Sequence, residues 1–452
     1  MIAVLGILFV LVFTALTWYR TSLGFFLLFL SLPTYVIRFS FGPLPSTLLE
    51  VLIWIILGST MIRSRESIVP SLQLFWKNHR VFSIAMLVFI LAATLSIFTS
   101  TNIRDAAGEW KAFYIEPMLI FFALYITAQK EATQKKQSQW TVLHASLFGL
   151  LLCGLITSIF AIYQHFTGFF VPHAFWANGN SYRVTGWYGY PNAVGLFLAP
   201  LIPLSVFFIK KLHNDWKEKK QVTSFLYWLQ LFVAGALCIS APLAVVYAKS
   251  TGALVGIVGG IGCMLVLYKK TRLPALLFGS IALLSILTLA PLASIKKEIL
   301  FQDRSGQIRV AIYKETMQLL KDRPLLGAGL DSYSHRIAPY HQLVHGEKIE
   351  IYHLPHNLLL SLWVNIGLFG MIAFFVMVVS AVHHAYTKTQ HTNTPSFFNP
   401  LLSISMIIVL ITGLVDTPYI KNDLSLFFWL LLWILLTHPV TPTDSKTPRL
   451  AR

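Results

Sequence analysis

Charge is scarce in this sequence. Asp, Glu, Lys and Arg make up 12% of its 452 residues, against about 25% in soluble domains. Too few polar side chains exist to cover a water-soluble particle of this length, which excludes a soluble enzyme. Acids are scarcer still, 18 against 35 bases, for a net charge of +17. A nucleic-acid partner would need those bases gathered in one folded segment. They are scattered between apolar runs, so no nucleic-acid binding is expected. Cysteine is nearly absent: Cys153, Cys238 and Cys263 each sit inside an apolar run, outside motif spacing of one another. That excludes a disulfide scaffold. No phosphate-binding loop, dinucleotide fingerprint or His/Cys ligand pair occurs, and the adjacent His383-His384 make a poor chelate. No metal and no cofactor is expected. The N-terminus lacks the basic stretch and cleavage site of a signal peptide, so its first apolar run is expected to stay in the protein.

Apolar residues are what is abundant, at 56%, with 14% aromatic. The composition implies an all-α polytopic membrane protein. A span needs about 17–25 predominantly apolar residues. Candidate runs lie near 2–18, 23–37, 47–62, 82–99, 112–128, 141–163, 192–209, 224–247, 252–268, 275–293, 357–381, 399–414 and 424–438. About twelve or thirteen spans are expected on that length criterion. Arg63, Arg65, Lys77 and Arg80 share one connection and Lys130, Lys135 and Lys136 another. Lys210, Lys211, Lys217, Lys219 and Lys220 form a third group, and Lys269, Lys270 and Arg272 a fourth. These are alternate connections, so the positive-inside rule sends them to the cytoplasm, together with tail residues Lys446, Arg449 and Arg452. The connections 164–191 and 294–356 then face outward. The chain divides into N-terminal spans at 1–163, a core at 164–382 holding both outer loops, and C-terminal spans with a cytoplasmic tail at 383–452.

The long outer loop 294–356 is basic against the charge trend, and is expected to be partly helical and functional. Within it, Gly306 to Lys321 has the spacing of an amphipathic helix, ended by Pro324 and a turn at Gly327-Ala328-Gly329. Its bases could touch lipid headgroups. Alternatively Arg304, Arg309 and Arg323 could hold a phosphate-bearing ligand, because guanidinium forks match phosphate oxygens. His356, at the entry to an apolar run, could be an interfacial polar residue or a general base for a hydroxyl, since imidazoles ordinarily titrate near pH 6.5. Gly367 and Gly370, at i and i+3, read as helix-packing residues. Arg183 lies among Trp176, Tyr182, Trp187, Tyr188 and Tyr190, the composition of an interface anchor or of a carbohydrate platform. Asp416 could assist a histidine, although a solvated loop acid is the commoner case.

These residues resemble the O-antigen ligase and polymerase superfamily of bacterial membrane glycosyltransferases. The likeness rests on His356-Asn357 with Gly367 and Gly370, and on Arg309 through Pro324-Leu325-Leu326-Gly327-Ala328-Gly329. Arg183-Val184-Thr185-Gly186 with Pro191-Asn192-Ala193, and Lys249-Ser250-Thr251-Gly252, fit the same pattern over about residues 180–375. Thr251 departs from it, since the family often has Arg there. The resemblance implies a polyprenyl-diphosphate-linked glycan as donor and a glycan, lipid or protein hydroxyl as acceptor. It implies a metal-independent transfer at the outer face of the cytoplasmic membrane, with His356 as catalytic base. Arg309 and Arg183, and with them Arg304, Arg323 and Asn357, are the expected substrate contacts. A polysaccharide polymerase and a protein O-oligosaccharyltransferase share that chemistry. A flippase or secondary transporter is the alternative from another class, and Thr251-Gly252 and Gly259-Gly260 would be its interrupted helix.

Overall fold

The computed structural model describes residues 2–41, 44–133, 140–179, 182–219, 225–344, 346–347, 349–390 and 398–437. Lys135, Lys136, Lys220, Lys446, Arg449 and Arg452, expected on the cytoplasmic side, lie outside the described residues. The chain opens with α1 (Ile2–Tyr19) and α2 (Thr21–Leu30). The second is shorter than its apolar run, because Pro33 lacks a backbone donor and a 3-10 turn takes over at Leu32–Val36. An antiparallel hairpin, β1 (Arg38–Phe41) and β2 (Leu44–Thr47), leads into α3 (Leu48–Arg63). Thr47 caps that helix by accepting from the Glu50 amide at 3.3 Å. Then come α4 (Arg65–Asn78), α5 (Arg80–Phe98), α6 (Ile103–Glu109), α7 (Glu116–Thr133), α8 (Val142–Thr167) and the single turn α9 (Ala174–Ala177). Next are α10 (Asn192–Leu198), α11 (Leu201–Lys219), α12 (Phe225–Tyr247), α13 (Thr251–Leu267) and α14 (Arg272–Thr288). The long loop holds α15 (Ala293–Ile299), α16 (Arg304–Asp322) and α17 (Tyr333–Ile337), and the chain finishes with α18 (Leu358–Gln390), α19 (Phe398–Thr412) and α20 (Asn422–Thr437).

The protein is an all-α polytopic membrane protein. Among the described residues six helices are long and apolar enough to cross a membrane, or seven if α14 and the segment bent 89° after it form one span. Five shorter apolar helices, α1, α2, α13, α19 and α20 among them, lie beside these. The helix called for by Thr251-Gly252 and Gly259-Gly260 is not interrupted. It is α13, and its Gly256 and Gly260 face α19 so closely that a Cβ would come within 2.5 Å of Thr412, 2.6 Å of Ile408 and 3.2 Å of Ile404.

Long-range contacts sort the connections onto two ends of the bundle. At one end, the Lys130 ammonium donates to the Arg63 carbonyl, Arg20 donates to Trp140 O at 2.7 Å, and the His79 and His384 rings meet at 4.6 Å. At the other, Ser332 Oγ lies 3.0 Å from Ser100 Oγ, Arg336 donates to Thr99 O at 2.6 Å, and Asn357 donates to Leu414 O at 2.8 Å. Arg63, His79 and Lys130 are therefore at one end of the bundle, and the loop that carries Ser332 and Arg336 is at the other.

Gly367 does not act as a packing residue. It breaks α18, with φ 74° and ψ 175° inside an otherwise continuous helix. That backbone favours glycine, and a Cβ here would stand 2.3 Å from Leu325 O. The break frees the Val364 carbonyl, which accepts from the amides of Ala328 at 2.6 Å and Gly329 at 3.0 Å, while Leu368 N donates to Leu325 O. The turn after α16 thus satisfies the helix ends that the break exposes. Gly370 does pack, against Ala92 of α5. Leu319, Leu320, Ala328, Tyr333, Ile337, Leu360 and Val364 form a small separate core above this junction, which holds α16 rigidly over the bundle.

Candidate functional site

Four segments meet at the Asn357–Leu414 end of the bundle: the loop before α10, the α12–α13 turn, the start of α18 and the α19–α20 turn. Gln164, fully buried near the end of α8, fixes the first. Its Oε1 accepts from the amides of Thr185 at 3.0 Å and Gly186 at 2.8 Å, and its Nε2 donates to Phe170 O at 2.8 Å. That amide holds the backbone two residues after Arg183. Arg183 donates from Nε to Ala248 O at 2.8 Å, and from Nη2 to Lys249 O at 2.9 Å and Asn192 Oδ1 at 2.7 Å. Its guanidinium lies over the Trp176 ring, 5.1 Å from the centroid. Burial, with the nearby positive charge of Arg309, pulls the Arg183 pKa down to about 10, which leaves it a cation at neutral pH.

Asn192 turns that contact toward a carboxylate, donating from Nδ2 to Asp416 Oδ2 at 2.9 Å. Asp416 is not the solvated loop acid that base rates favour; it is 5% exposed. Its other oxygen accepts from the Thr417 amide at 2.9 Å and lies 3.4 Å from His356 Nδ1. Burial raises its pKa, but the hydrogen bond and charge of His356, the Thr417 amide and Asn192 outweigh that effect. They hold the carboxyl below its ordinary value. The result is one hydrogen-bonded line, Arg183–Asn192–Asp416–His356, drawn from three separate outer segments. His356 and Lys249, at either end of it, are non-glycine residues held at positive φ, 48° and 47°. Such strain persists only where the surroundings over-determine it, and it clusters at functional sites.

Arg309, on α16, is near enough for its charge to be felt at Arg183, and its Nη1 donates to Ser305 Oγ at 3.0 Å. One turn further on, Tyr313 donates to His356 O at 3.0 Å and to Leu414 O at 3.2 Å, tying α16 to the strained histidine.

Other expected contacts are placed elsewhere. Arg304 pairs with Glu347 at 2.7 Å on the exposed surface. Arg323 caps the far end of α16, about 21 Å along the axis from Arg309 at 1.5 Å per residue. Asn357 is occupied by structure: Nδ2 reaches Leu414 O at 2.8 Å, and Oδ1 caps α18 through the Leu360 amide at 3.1 Å. The aromatic platform is dispersed, since Trp187 stacks on Phe160 at 4.2 Å and Tyr188 is buried. Only Trp176 stays with Arg183. Tyr313 and Gln164 were not singled out in the sequence, and Asn192 stood there only within the Pro191-Asn192-Ala193 motif, with no contact assigned to it. Tyr313 was signalled by its i+4 spacing from Arg309 on one helix face, and Gln164 by being an amide at the end of an apolar run. Among the described residues no group of three His, Cys, Asp or Glu side chains is arranged to hold a metal ion.

A helical membrane bundle with a cationic, histidine- and carboxylate-bearing site at its non-basic end is the class these features define. Residues 233–375 match the O-Antigen ligase family, a match that supports membership of the O-antigen ligase/polymerase superfamily. The matched segment supplies Lys249, Arg309, Tyr313 and His356, whereas Arg183, Asn192 and Asp416 come from outside it. No curated protein matches the chain. The family supports a ligase- or polymerase-type glycosyl transfer and a role in O-antigen or lipopolysaccharide synthesis.

Proposed function

We propose that this protein transfers a glycan from a polyprenyl-diphosphate carrier to an acceptor hydroxyl at the outer face of the bacterial cytoplasmic membrane. The observation that carries this reading is the Arg183–Asn192–Asp416–His356 line with Arg309 beside it. Asp416 opposite Nδ1 selects the tautomer with its proton there, which leaves Nε2 as the accepting nitrogen. Nε2 takes the proton of the acceptor hydroxyl as its oxygen bonds to the anomeric carbon. The bond from that carbon to the diphosphate oxygen breaks, and the diphosphate leaves with the electron pair. Arg309 meets the leaving group and Arg183 is the second contact. Arg183 has already committed Nε and Nη2 to the scaffold. Two guanidinium groups that repel one another are relieved by an anion between them, and each charge-assisted contact contributes about 1.5–3 kcal/mol. The activated diphosphate ester supplies the driving force, and no metal takes part.

The core of the enzyme is residues 164–382, with Asp416 contributed from 383–452. A transporter reading is disfavoured by α18, whose break at Gly367 is filled by the backbone of Leu325–Gly329 and not by a substrate cavity. The test is purified protein given a defined polyprenyl-diphosphate oligosaccharide with lipid, glycan or peptide acceptors. Release of free polyprenyl diphosphate together with a glycosylated acceptor is expected. Full release from a His356→Ala protein would sink the mechanism, and the acceptor consumed distinguishes ligase, polymerase and protein transferase.

A further inference from the structure

One buried cation at the outer end is unused by the transfer chemistry. Lys421 closes the α19–α20 turn, its side chain 12% exposed, with Nζ 3.5 Å from Asp423 Oδ1. The ammonium sits 3.7 Å from the centroid of the Tyr188 ring, 5.0 Å from that of Tyr35 and 5.7 Å from that of Tyr190. Beyond that ion pair, neither Nζ nor either Asp423 oxygen has a hydrogen-bond partner among the described residues. An ammonium so enclosed by ring faces is held chiefly by cation–π attraction and by its neighbouring carboxylate.

The box joins three parts of the chain. Tyr35 follows α2, Tyr188 and Tyr190 belong to the loop that carries Arg183 and Asn192, and Lys421 lies five residues after Asp416. In the same place Asp416 lies 2.9 Å from Asn192, two residues after Tyr190. We infer that Lys421 is a positioning residue: its grip on the tyrosine box registers the Asp416 turn against the Arg183–Asn192 loop and so sets the carboxylate opposite His356. The inference rests on the transferase reading for its functional consequence, and on the box alone for its structural one. The charged and titratable groups facing Asp416 are His356 from α18, Arg183 and Tyr190 from the loop before α10, Tyr313 from α16, and Lys421 itself.

A double-mutant cycle between Lys421→Met and Asp416→Asn, in the full-length protein in detergent, tests this. It is read twice, as steady-state kcat and KM with a polyprenyl-diphosphate oligosaccharide and as thermal unfolding midpoint. Lys421→Met is expected to lower kcat about tenfold with KM for the donor within twofold, because the phosphate contacts are elsewhere. In the Asp416→Asn background the same replacement should cost less than twofold, and the unfolding midpoints should be similarly non-additive. Lys421→Arg, which keeps the cation, should recover most of kcat. Effects that add in both readouts, or a coupled midpoint with kcat unchanged, overturn the positioning role. If Lys421→Met does not fold, Lys421→Met/Asp423→Asn leaves no buried charge unpaired. A folded double variant with wild-type kcat likewise overturns it. Coupled midpoints in a protein that releases no polyprenyl diphosphate with any acceptor would retain the pin and reject the transferase.

Discussion

Asn192 and Asp416, 224 residues apart in the chain, are joined by a 2.9 Å hydrogen bond from Nδ2 to Oδ2. That bond couples the guanidinium of Arg183 to the imidazole of His356 through two intermediates.

Replacing His356 by Ala is expected to slow transfer by about 10²–10⁴-fold, the usual contribution of a general base, with the unfolding midpoint near that of the wild type. His353, exposed three residues earlier, is the control, and its replacement should change the rate less than twofold. Equal rates for the two variants would return His356 to a structural role.

Arg309→Lys should behave as a loss and not as a conservative change, since a point charge cannot reproduce a planar fork on diphosphate oxygens. Donor affinity is expected to fall about tenfold, one charge-assisted contact being worth roughly 1.5 kcal/mol or more. Lys314, exposed on the same helix, and Arg323 at its far end should tolerate replacement. A chelator such as EDTA is expected to leave the rate unchanged, and its abolishing transfer would refute the arginine mechanism.

Acid should weaken the protein through Asp416. Its carboxyl is held below the ordinary value in the folded state, so its contribution is complete above the unfolded pKa of about 3.9 and is lost as pH falls through the folded value. The unfolding midpoint of the wild type should therefore decline more steeply than that of Asp416→Asn below about pH 4. Parallel curves from pH 3 to 6 would contradict the pairing.

Gly367→Ala places a Cβ 2.3 Å from Leu325 O on a backbone with φ 74°. That combination of positive φ with ψ near 180° is essentially confined to glycine and costs another residue about 1–3 kcal/mol before the clash is counted. A loss exceeding 2 kcal/mol is expected, checked by thermal unfolding, whereas Gly6→Ala, with open space around it, should be neutral. An unchanged midpoint would mean the junction with Leu325–Gly329 is not rigid.

Sidedness is tested with single cysteines at Ser334 and Lys217. A membrane-impermeant thiol reagent applied to intact cells should label the first and spare the second. Labelling of both from one face would reject the topology.

Membrane character was legible in the sequence, which also pointed to His356, Arg309 and Arg183, whereas only six or seven of the apolar runs form helices of spanning length among the described residues. Each depends on local information: hydropathy over a span length, the charge of a connection, the spacing of a motif. The helix over 306–321 was legible for the same reason, through its period. Asp416 was not, because whether a loop acid is solvated or buried depends on what other segments cover it. Gly367 was misread because an i, i+3 glycine pair is compatible with packing or with a break, and only the carbonyl of Leu325 decides between them. Asn357 and Arg304 had the right chemistry for a ligand but found partners at Leu414 and Glu347. Periodicity and composition determined which residues reach the outer end of this bundle. Which of them meet there was decided by long-range contacts between four outer segments, where hydrogen-bond geometry, burial and the competition for each polar atom are properties of the folded chain alone.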